Sequence, residues 1–316
     1  MRCMALAKIA RDRDISVHIT GRIGVDWVKE RLKNEGISFS ELAGLVPERE
    51  NPQELLANFK AIKKTDWVIL DGYHFGLDCQ QAMRAAGYKL LVIDDYTHLP
   101  EYSCDILLNQ NIGAEEFVYT GDIAQKLLGP KYALLRPEFL AACSQVKEQQ
   151  LLEKANNILL TLGGGDCSEH LALIAPLFAN PNLKGCTLRI IAGAMPIDYV
   201  NKLFTNCPAN VEVLNRVDNM PALLLNTDLC VTAGGSICLE LCYLGVPFLI
   251  VKVAENQHFA INEWIKHQIT RLLSADSLKT VMNRQDIRIA MAETGRKIVD
   301  GKGAQRIINC VFCQDT

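Results

Sequence analysis

The sequence predicts two doubly wound α/β domains, and three observations carry that prediction. Apolar strand-like runs alternate with amphipathic helical stretches along the whole chain, which is the pattern of parallel sheets flanked by helices. These runs fall into two groups separated by a segment, 129–155, that ends charged, Gln-rich and without strand character. Two glycine-rich turns, at 161–166 and 233–236, directly follow strand-like runs of the second group, at the sheet edge where doubly wound folds bind ligands. The boundaries read as an N-terminal domain over 1–140, a linker over 141–155 and a C-terminal domain over 156–316, with a ligand expected in a cleft between two facing domains.

In the first group, strands are read at 15–20 (ISVHIT), 37–42 (ISFSEL), 67–71 (WVILD), 89–95 (KLLVIDD) and 105–110 (DILLNQ). The second group has them at 156–162 (NNILLTL), 188–193 (LRIIAG), 211–215 (VEVLN), 229–233 (LCVTA) and 248–253 (FLIVKV). Before any of these the chain opens with MRCMALAKIARDRD, a helical pattern with no strand ahead of it. A doubly wound domain begins with a strand whose loop feeds the first helix, so the first strand of the N-terminal domain is expected to be missing from its sheet.

Composition narrows the function classes. The 316 residues, 49% hydrophobic and 22% charged, suffice for two domains with buried cores. A net charge of -3 and a pI near 6.1, with Lys and Arg scattered, argue against a nucleic-acid partner. No stretch of 18 apolar residues runs free of charges and turn signals, and no signal-peptide pattern stands at the start. The expectation is therefore a cytoplasmic protein without stable membrane insertion. Of the 12 cysteines, Cys104, Cys230, Cys238 and Cys242 lie inside apolar runs and read as small buried hydrophobes. Cys310 and Cys313 form a C-x-x-C without a second ligand pair, and no metal site is assigned to it.

The motif with most chemistry runs through VTAGGSICLELCYLGVPFLIV, residues 231–251. A buried strand delivers Gly234 and Gly235 to a turn where the backbone can approach a ligand, and Ser236 can cap the following helix. The helix N-terminus suits a phosphate or diphosphate. Glu240, one turn along, is placed to accept hydrogen bonds from a ribose diol, while Gly245 and Pro247 end the helix. A tight strand-to-helix turn with a solvated Glu is the alternative. Gly163, Gly164 and Gly165 form the second glycine turn, with neither dinucleotide nor P-loop spacing. Two such turns at equivalent strand ends point to a nucleotide diphosphate. Asn256 and Gln257, at the next strand-to-helix junction, could read sugar hydroxyls or amides, or simply cap a helix. In the first domain Asp71, Tyr73 and His74 end one strand and Asp94 and Asp95 the next. Facing a ligand, they are proton-transfer groups; otherwise His74 is a loop histidine and the aspartates are turn residues.

Several segments together resemble a known family: MRCMALA (1–7), VILDGYHF (68–75), VIDD (92–95), LLNQNIG (107–113), GPKYALLRPEF (129–139), GGGD (163–166), AGGSICLELCYLGVP (233–247) and AENQ (254–257). In order and spacing they are similar to the UDP-sugar hydrolases of pseudaminic acid biosynthesis, which act on UDP-2,4-diacetamido-2,4,6-trideoxy-β-L-altropyranose. The resemblance spans nearly the whole chain. It implies glycosyltransferase-B architecture, two Rossmann-like domains facing a cleft, and hydrolysis at the anomeric carbon with inversion, by water and without metal or other cofactor. It also implies that Ser236, Glu240 and Gly163 to Gly165 hold UDP, that Asn256 and Gln257 reach the sugar, that Tyr73 assists proton movement with Asn256 as a second catalytic residue, and that Arg2 binds substrate in a monomeric enzyme. The family's catalytic histidine sits in a Gly-x-Gly-His turn upstream of the position matching Met1. The missing strand and histidine are then one segment of about 10–20 residues, and the sequence is expected to start at an internal methionine. Two alternatives stay open: a glycosyltransferase of the same fold, and a nucleotide-sugar binding protein without turnover.

Overall fold

The computed structural model describes residues 2–24, 26–59, 63, 66–142, 152–253 and 258–312. It divides into two compact units, one formed by 1–137 with 301–316, the other by 138–300. Residues 301–316 thus belong with the N-terminal unit, where the sequence places them in the C-terminal domain. The cause is an amphipathic last helix whose apolar stripe is built for the first unit's core. Most of the expected linker lies outside the described residues.

The N-terminal unit opens with α1 (Arg2–Arg11), β1 (His18–Gly21), α2 (Asp26–Asn34) and β2 (Ser38–Glu41). Helix α3 (Pro52–Ala57) follows, with Pro52 at its first position and the Asn51 side chain accepting from Gln53 N at 2.9 Å. Then come β3 (Trp67–Asp71), α4 (Leu77–Ala85), β4 (Lys89–Ile93), β5 (Tyr102–Asn109) and β6 (Gly121–Leu128). All pairings are parallel, in two sheets, β1-β2 and β3-β4-β5-β6. Among the described residues no strand pairs with the outer side of β3 or joins the two sheets. Helix α1 packs against both sheets. Ala5, Leu6 and Ala10 pack with β4, β5 and the last helix, while Met4 and Ala7 pack with α2 and the two-stranded sheet. Burial of Leu6 alone contributes about 2 kcal/mol.

Strand β6 escapes sequence reading because GDIAQKLL is a polar, mostly exposed edge strand with no apolar run to announce it. Its first residue shows why it pairs where it does. Gly121 has φ 106°, and a Cβ there would stand 2.1 Å from the Tyr102 carbonyl oxygen, so only glycine starts this ladder.

The C-terminal unit begins within α5 (Pro137–Ala142) and continues through β7 (Asn157–Thr161), α6 (Ser168–Ile174), β8 (Thr187–Ile191), α7 (Ile197–Leu203), β9 (Asn210–Leu214), α8 (Met220–Leu225) and β10 (Leu229–Ala233). It closes with α9 (Ile237–Leu244), β11 (Phe248–Val251), α10 (His258–Lys266), β12 (Thr270–Leu272), α11 (Ala275–Asn283) and α12 (Gln285–Ile298). Its six strands are parallel, in the order β12-β11-β10-β7-β8-β9. Central β10 and β11 are buried at every residue, as the uninterrupted apolar runs require. The short edge strand β12 is the one the sequence does not announce. Cys230, Cys238 and Cys242 are buried here and Cys104 in the first unit, each acting as a small apolar side chain. Helix α13 (Gly303–Phe312) returns to the N-terminal unit and buries Ala304, Ile307, Ile308 and Val311.

Candidate functional site

In the C-terminal unit, β7 and β10 are direct neighbours, with Thr161 opposite Thr232 in parallel register. The turns that leave them, Gly163–Gly165 and Gly234–Ser236, therefore emerge side by side at the carboxyl edge. Gly163 has φ 109°, a conformation that favours glycine. Gly164, Gly165 and Gly235 have no such need: none has a left-handed φ, and a Cβ added at any of them would meet nothing within 4 Å. Neither backbone conformation nor packing explains these three glycines. What a missing side chain does provide is open backbone for a bound group.

Other residues around these turns have settled roles. Asp166 accepts from Ser168 N at 2.9 Å and so serves the start of α6. Ser236 does not cap α9 as the sequence suggests. Its backbone is already helical, φ -60° and ψ -20°, so its side chain makes no capping bond and the residue stays exposed. Glu240 is buried in the first turn of α9, 9% exposed, rather than solvated. Gly245 ends that helix with φ 69°, as expected. Asn256 and Gln257 lie outside the described residues. Sequence reasoning missed Gly193, in the turn after β8, where a Cβ would stand 2.8 Å from the Gly163 carbonyl oxygen. It also missed Thr232, fully buried on β10 with a hydroxyl that finds no partner among the described residues.

In the N-terminal unit the carboxyl ends of β3 and β4 carry a polar network. The Tyr73 hydroxyl donates to Asp95 Oδ2 at 2.6 Å. Asp95 Oδ1 also accepts from Arg2 Nη1 at 2.7 Å and from Asn111 Nδ2 at 3.0 Å. Arg2, in the first turn of α1, donates to Asp71 Oδ1 through Nη2 at 2.7 Å and Nε at 3.0 Å, while the Cys3 thiol donates to Asp71 Oδ2. One guanidinium thus holds two carboxylates. Burial opposes the charge on Asp71, but Arg2 outweighs it and keeps the carboxyl below its ordinary value. Burial first, then the bond to Asp95, push the Tyr73 hydroxyl well up, which keeps it a proton donor at neutral pH.

The expected trio of Asp71, Tyr73 and His74 does not converge. His74 turns away, stacks on Phe75 and lies 3.9 Å from Glu50, which is clamped by Arg22 at 2.6 and 3.1 Å. Burial holds the His74 imidazole below its ordinary value. Asp94 and Asp95 also separate, as successive residues at a strand end do. Asp94 points inward, fully buried, and accepts from Thr97 N at 2.7 Å, Tyr119 Oη at 2.7 Å, Tyr102 Oη at 2.9 Å and the His98 backbone and imidazole. Burial would raise its pKa, but these bonds, led by His98, bring it down to about 2. Among the described residues no three His, Cys, Asp or Glu side chains converge as a metal site.

No family model matches the chain. It is 24% identical over 221 residues to the uncharacterized protein MJ1062 of Methanocaldococcus jannaschii, spanning 67% of this chain but only 45% of that protein. It is 23% identical over 276 residues to the spore coat polysaccharide biosynthesis protein SpsG of Bacillus subtilis, covering 83% and 80%. Three solved structures are similar over nearly the whole length. They are MurG of Acinetobacter baumannii (TM-score 0.70, 14% identity, 98% and 94% covered), the glycosyltransferase SnogD of Streptomyces nogalater (0.65, 13%, 98% and 95%) and a UDP-GlcNAc 2-epimerase of Neisseria meningitidis bound to UDP-GlcNAc (0.61, 12%, 99% and 98%). The chain therefore shares their two-unit glycosyltransferase-B fold. No helix among the described residues is long and apolar enough to cross a membrane.

Proposed function

We propose that the chain is an enzyme acting on a nucleotide sugar, and specifically an inverting hydrolase that releases UDP and free sugar from a UDP-linked diacetamido-trideoxy sugar. The observation that carries the nucleotide is the pair of adjacent turns with three glycines that the fold itself does not require. In this reading the diphosphate lies against the backbone of Gly163 to Gly165 and of Gly234 and Gly235, and the exposed Ser236 hydroxyl donates to it. Glu240 accepts from the ribose hydroxyls. The resemblance assigns the sugar to Asn256 and Gln257. Likeness to a polysaccharide biosynthesis protein and to an epimerase crystallised with UDP-GlcNAc supports the same class.

Tyr73 then serves proton movement beside the attacking water. Arg2 acts behind it: its charge is engaged by Asp71 and Asp95, so its part is to hold the Asp95 carboxylate that orients the Tyr73 hydroxyl. Inversion follows when water attacks the anomeric carbon from the face opposite the diphosphate. The chain's own side chains supply proton handling and orientation in this scheme.

A second reading, transfer of the sugar to an acceptor hydroxyl, is favoured by the likeness to MurG and SnogD over 98% of the chain. One experiment separates the two. The chain is incubated in ¹⁸O-water with UDP-2,4-diacetamido-2,4,6-trideoxy-β-L-altropyranose, and UDP and sugar are followed by mass spectrometry. Hydrolysis predicts free sugar carrying one ¹⁸O at the anomeric position and unlabelled UDP. Turnover that appears only when an acceptor alcohol is added establishes transfer instead, and UDP binding without turnover rejects both.

A further inference from the structure

The sheet of the C-terminal unit has two unlike faces. Ile158, Leu160, Leu188 and Ile190 point into the unit's core, so their strand neighbours Asn157 and Arg189 point to the opposite face. There Asn157 and Arg189, with Ala222 and Leu223 of α8 and Asn226 at its end, line a cavity of about 400 Å³, within the size range of small-molecule sites. Asn157 opens β7, four residues before Thr161, which sets the cavity about 13 Å along the strand from the glycine turns.

An arginine inside a parallel strand stands out, because such strands are normally buried on both faces. The Arg189 side chain is 26% exposed, and its Nε donates to Glu212 Oε2 at 2.8 Å. Its two terminal nitrogens have no hydrogen-bond partner among the described residues. The other Glu212 oxygen accepts from Asn210 Nδ2 at 3.3 Å. Asn157 Nδ2 donates to Asp228 Oδ2 at 3.4 Å and Asn226 Nδ2 to the Ala222 carbonyl oxygen at 2.8 Å. Both amide nitrogens are thereby committed to the protein, and neither Oδ1 receives a donor among the described residues.

The wall therefore offers a fork of N–H donors, two amide oxygens and apolar surface. Glu212 and Asp228 beside it outweigh the single guanidinium charge, which disfavours a phosphate or carboxylate. The matching ligand is neutral, with two adjacent acceptors for the fork and N–H donors next to them. Guanine carries that edge: N7 and O6 accept from an arginine bidentately, and its ring N1–H and amino group donate to amide oxygens. Adenine places an amino donor where the guanidinium needs an acceptor. We propose that this cavity binds a guanine nucleoside through Arg189, Asn157 and Asn226, at a site separate from the glycine turns. The inference does not depend on the reaction proposed above.

The test is a titration of the full chain, ¹⁵N-labelled at asparagine, with guanosine, adenosine as the control, each with and without saturating UDP. Guanosine should move the side-chain amide resonances of Asn157 and Asn226 in both conditions, and adenosine should leave them in place. Arg189→Lys keeps the charge beside Glu212 but loses the fork, so it should bind guanosine at least about tenfold more weakly. No movement by about 1 mM guanosine, equal movement with adenosine, or full affinity in the variant overturns the proposal. So does movement that UDP abolishes, which would place the nucleoside at the glycine turns. If Arg189→Lys does not fold, the contrast between guanosine and adenosine on the wild-type chain decides. A chain that fails to bind UDP counts against the nucleotide-sugar reading alone, since the asparagine resonances report this cavity directly.

Discussion

Two adjacent aspartates at the end of β4 take opposite parts, and burial decides which. Asp95 lies in a part-exposed network with Arg2, Tyr73 and Asn111, while Asp94 is sealed inside and held at about 2. A carboxyl depressed in the folded state stabilises the fold above its unfolded pKa, near 4, and that contribution is lost as pH falls through the folded value. For Asp94 the window is about pH 4 down to pH 2, and the contribution at neutral pH is about 2 kcal/mol. Asp94→Asn should therefore lower the stability of the N-terminal unit by about 3 kcal/mol at pH 7, since an amide cannot accept all the donors gathered there. Its stability should also vary less with pH across that window. Urea unfolding followed at Trp67 from pH 2 to pH 7 checks both, and an unchanged pH slope rejects the pKa assignment. VIDD shows two carboxylates in sequence, but their separation is invisible there because the partners Tyr102 and Tyr119 come from other segments.

Glycine carries two different messages at the level of the strand and its turn. At Gly121 the structure demands it, because of the positive φ and the Tyr102 carbonyl 2.1 Å from any Cβ. Gly121→Ala should lose about 3 kcal/mol and detach β6 from β5, read as faster amide exchange over 121–128. At Gly165 and Gly235 nothing in the fold demands it. Gly165→Ala and Gly235→Ala should leave the melting temperature unchanged or raise it slightly, since alanine costs less chain entropy there. Calorimetry should nonetheless show UDP bound at least about tenfold more weakly. Full-strength UDP binding by these variants would remove the principal support for the nucleotide site. The two glycine turns were legible as motifs at their strand ends. That they lie side by side was not, because β10 pairs with β7 across some 70 residues of intervening chain.

Across the molecule, the two units depend differently on the chain's end. Helix α13 buries Ile307, Ile308, Val311 and Ala304 in the N-terminal unit, apolar burial of roughly 6 kcal/mol and comparable to a domain's whole stability. A chain ending at Asp300 should lose the cooperative transition seen at Trp27 and Trp67 while keeping that at Trp264, and proteolysis should leave a core near 138–300. Retention of both transitions would show that the last helix is dispensable. By itself the sequence determined the local facts: parallel strands as apolar runs, helices by their period and glycine turns at strand ends. These follow from side-chain chemistry over neighbouring residues. Only the tertiary structure decided that β1-β2 and β3-β6 stand as separate sheets under one helix, that α13 returns to the first unit, and that Arg2 joins Asp71 to Asp95. It also decided that His74 turns away from Tyr73 while His98 lies beside it. Those outcomes depend on which distant surfaces exclude water together and which buried polar groups find partners, and no local stretch of sequence contains both halves of such a contact.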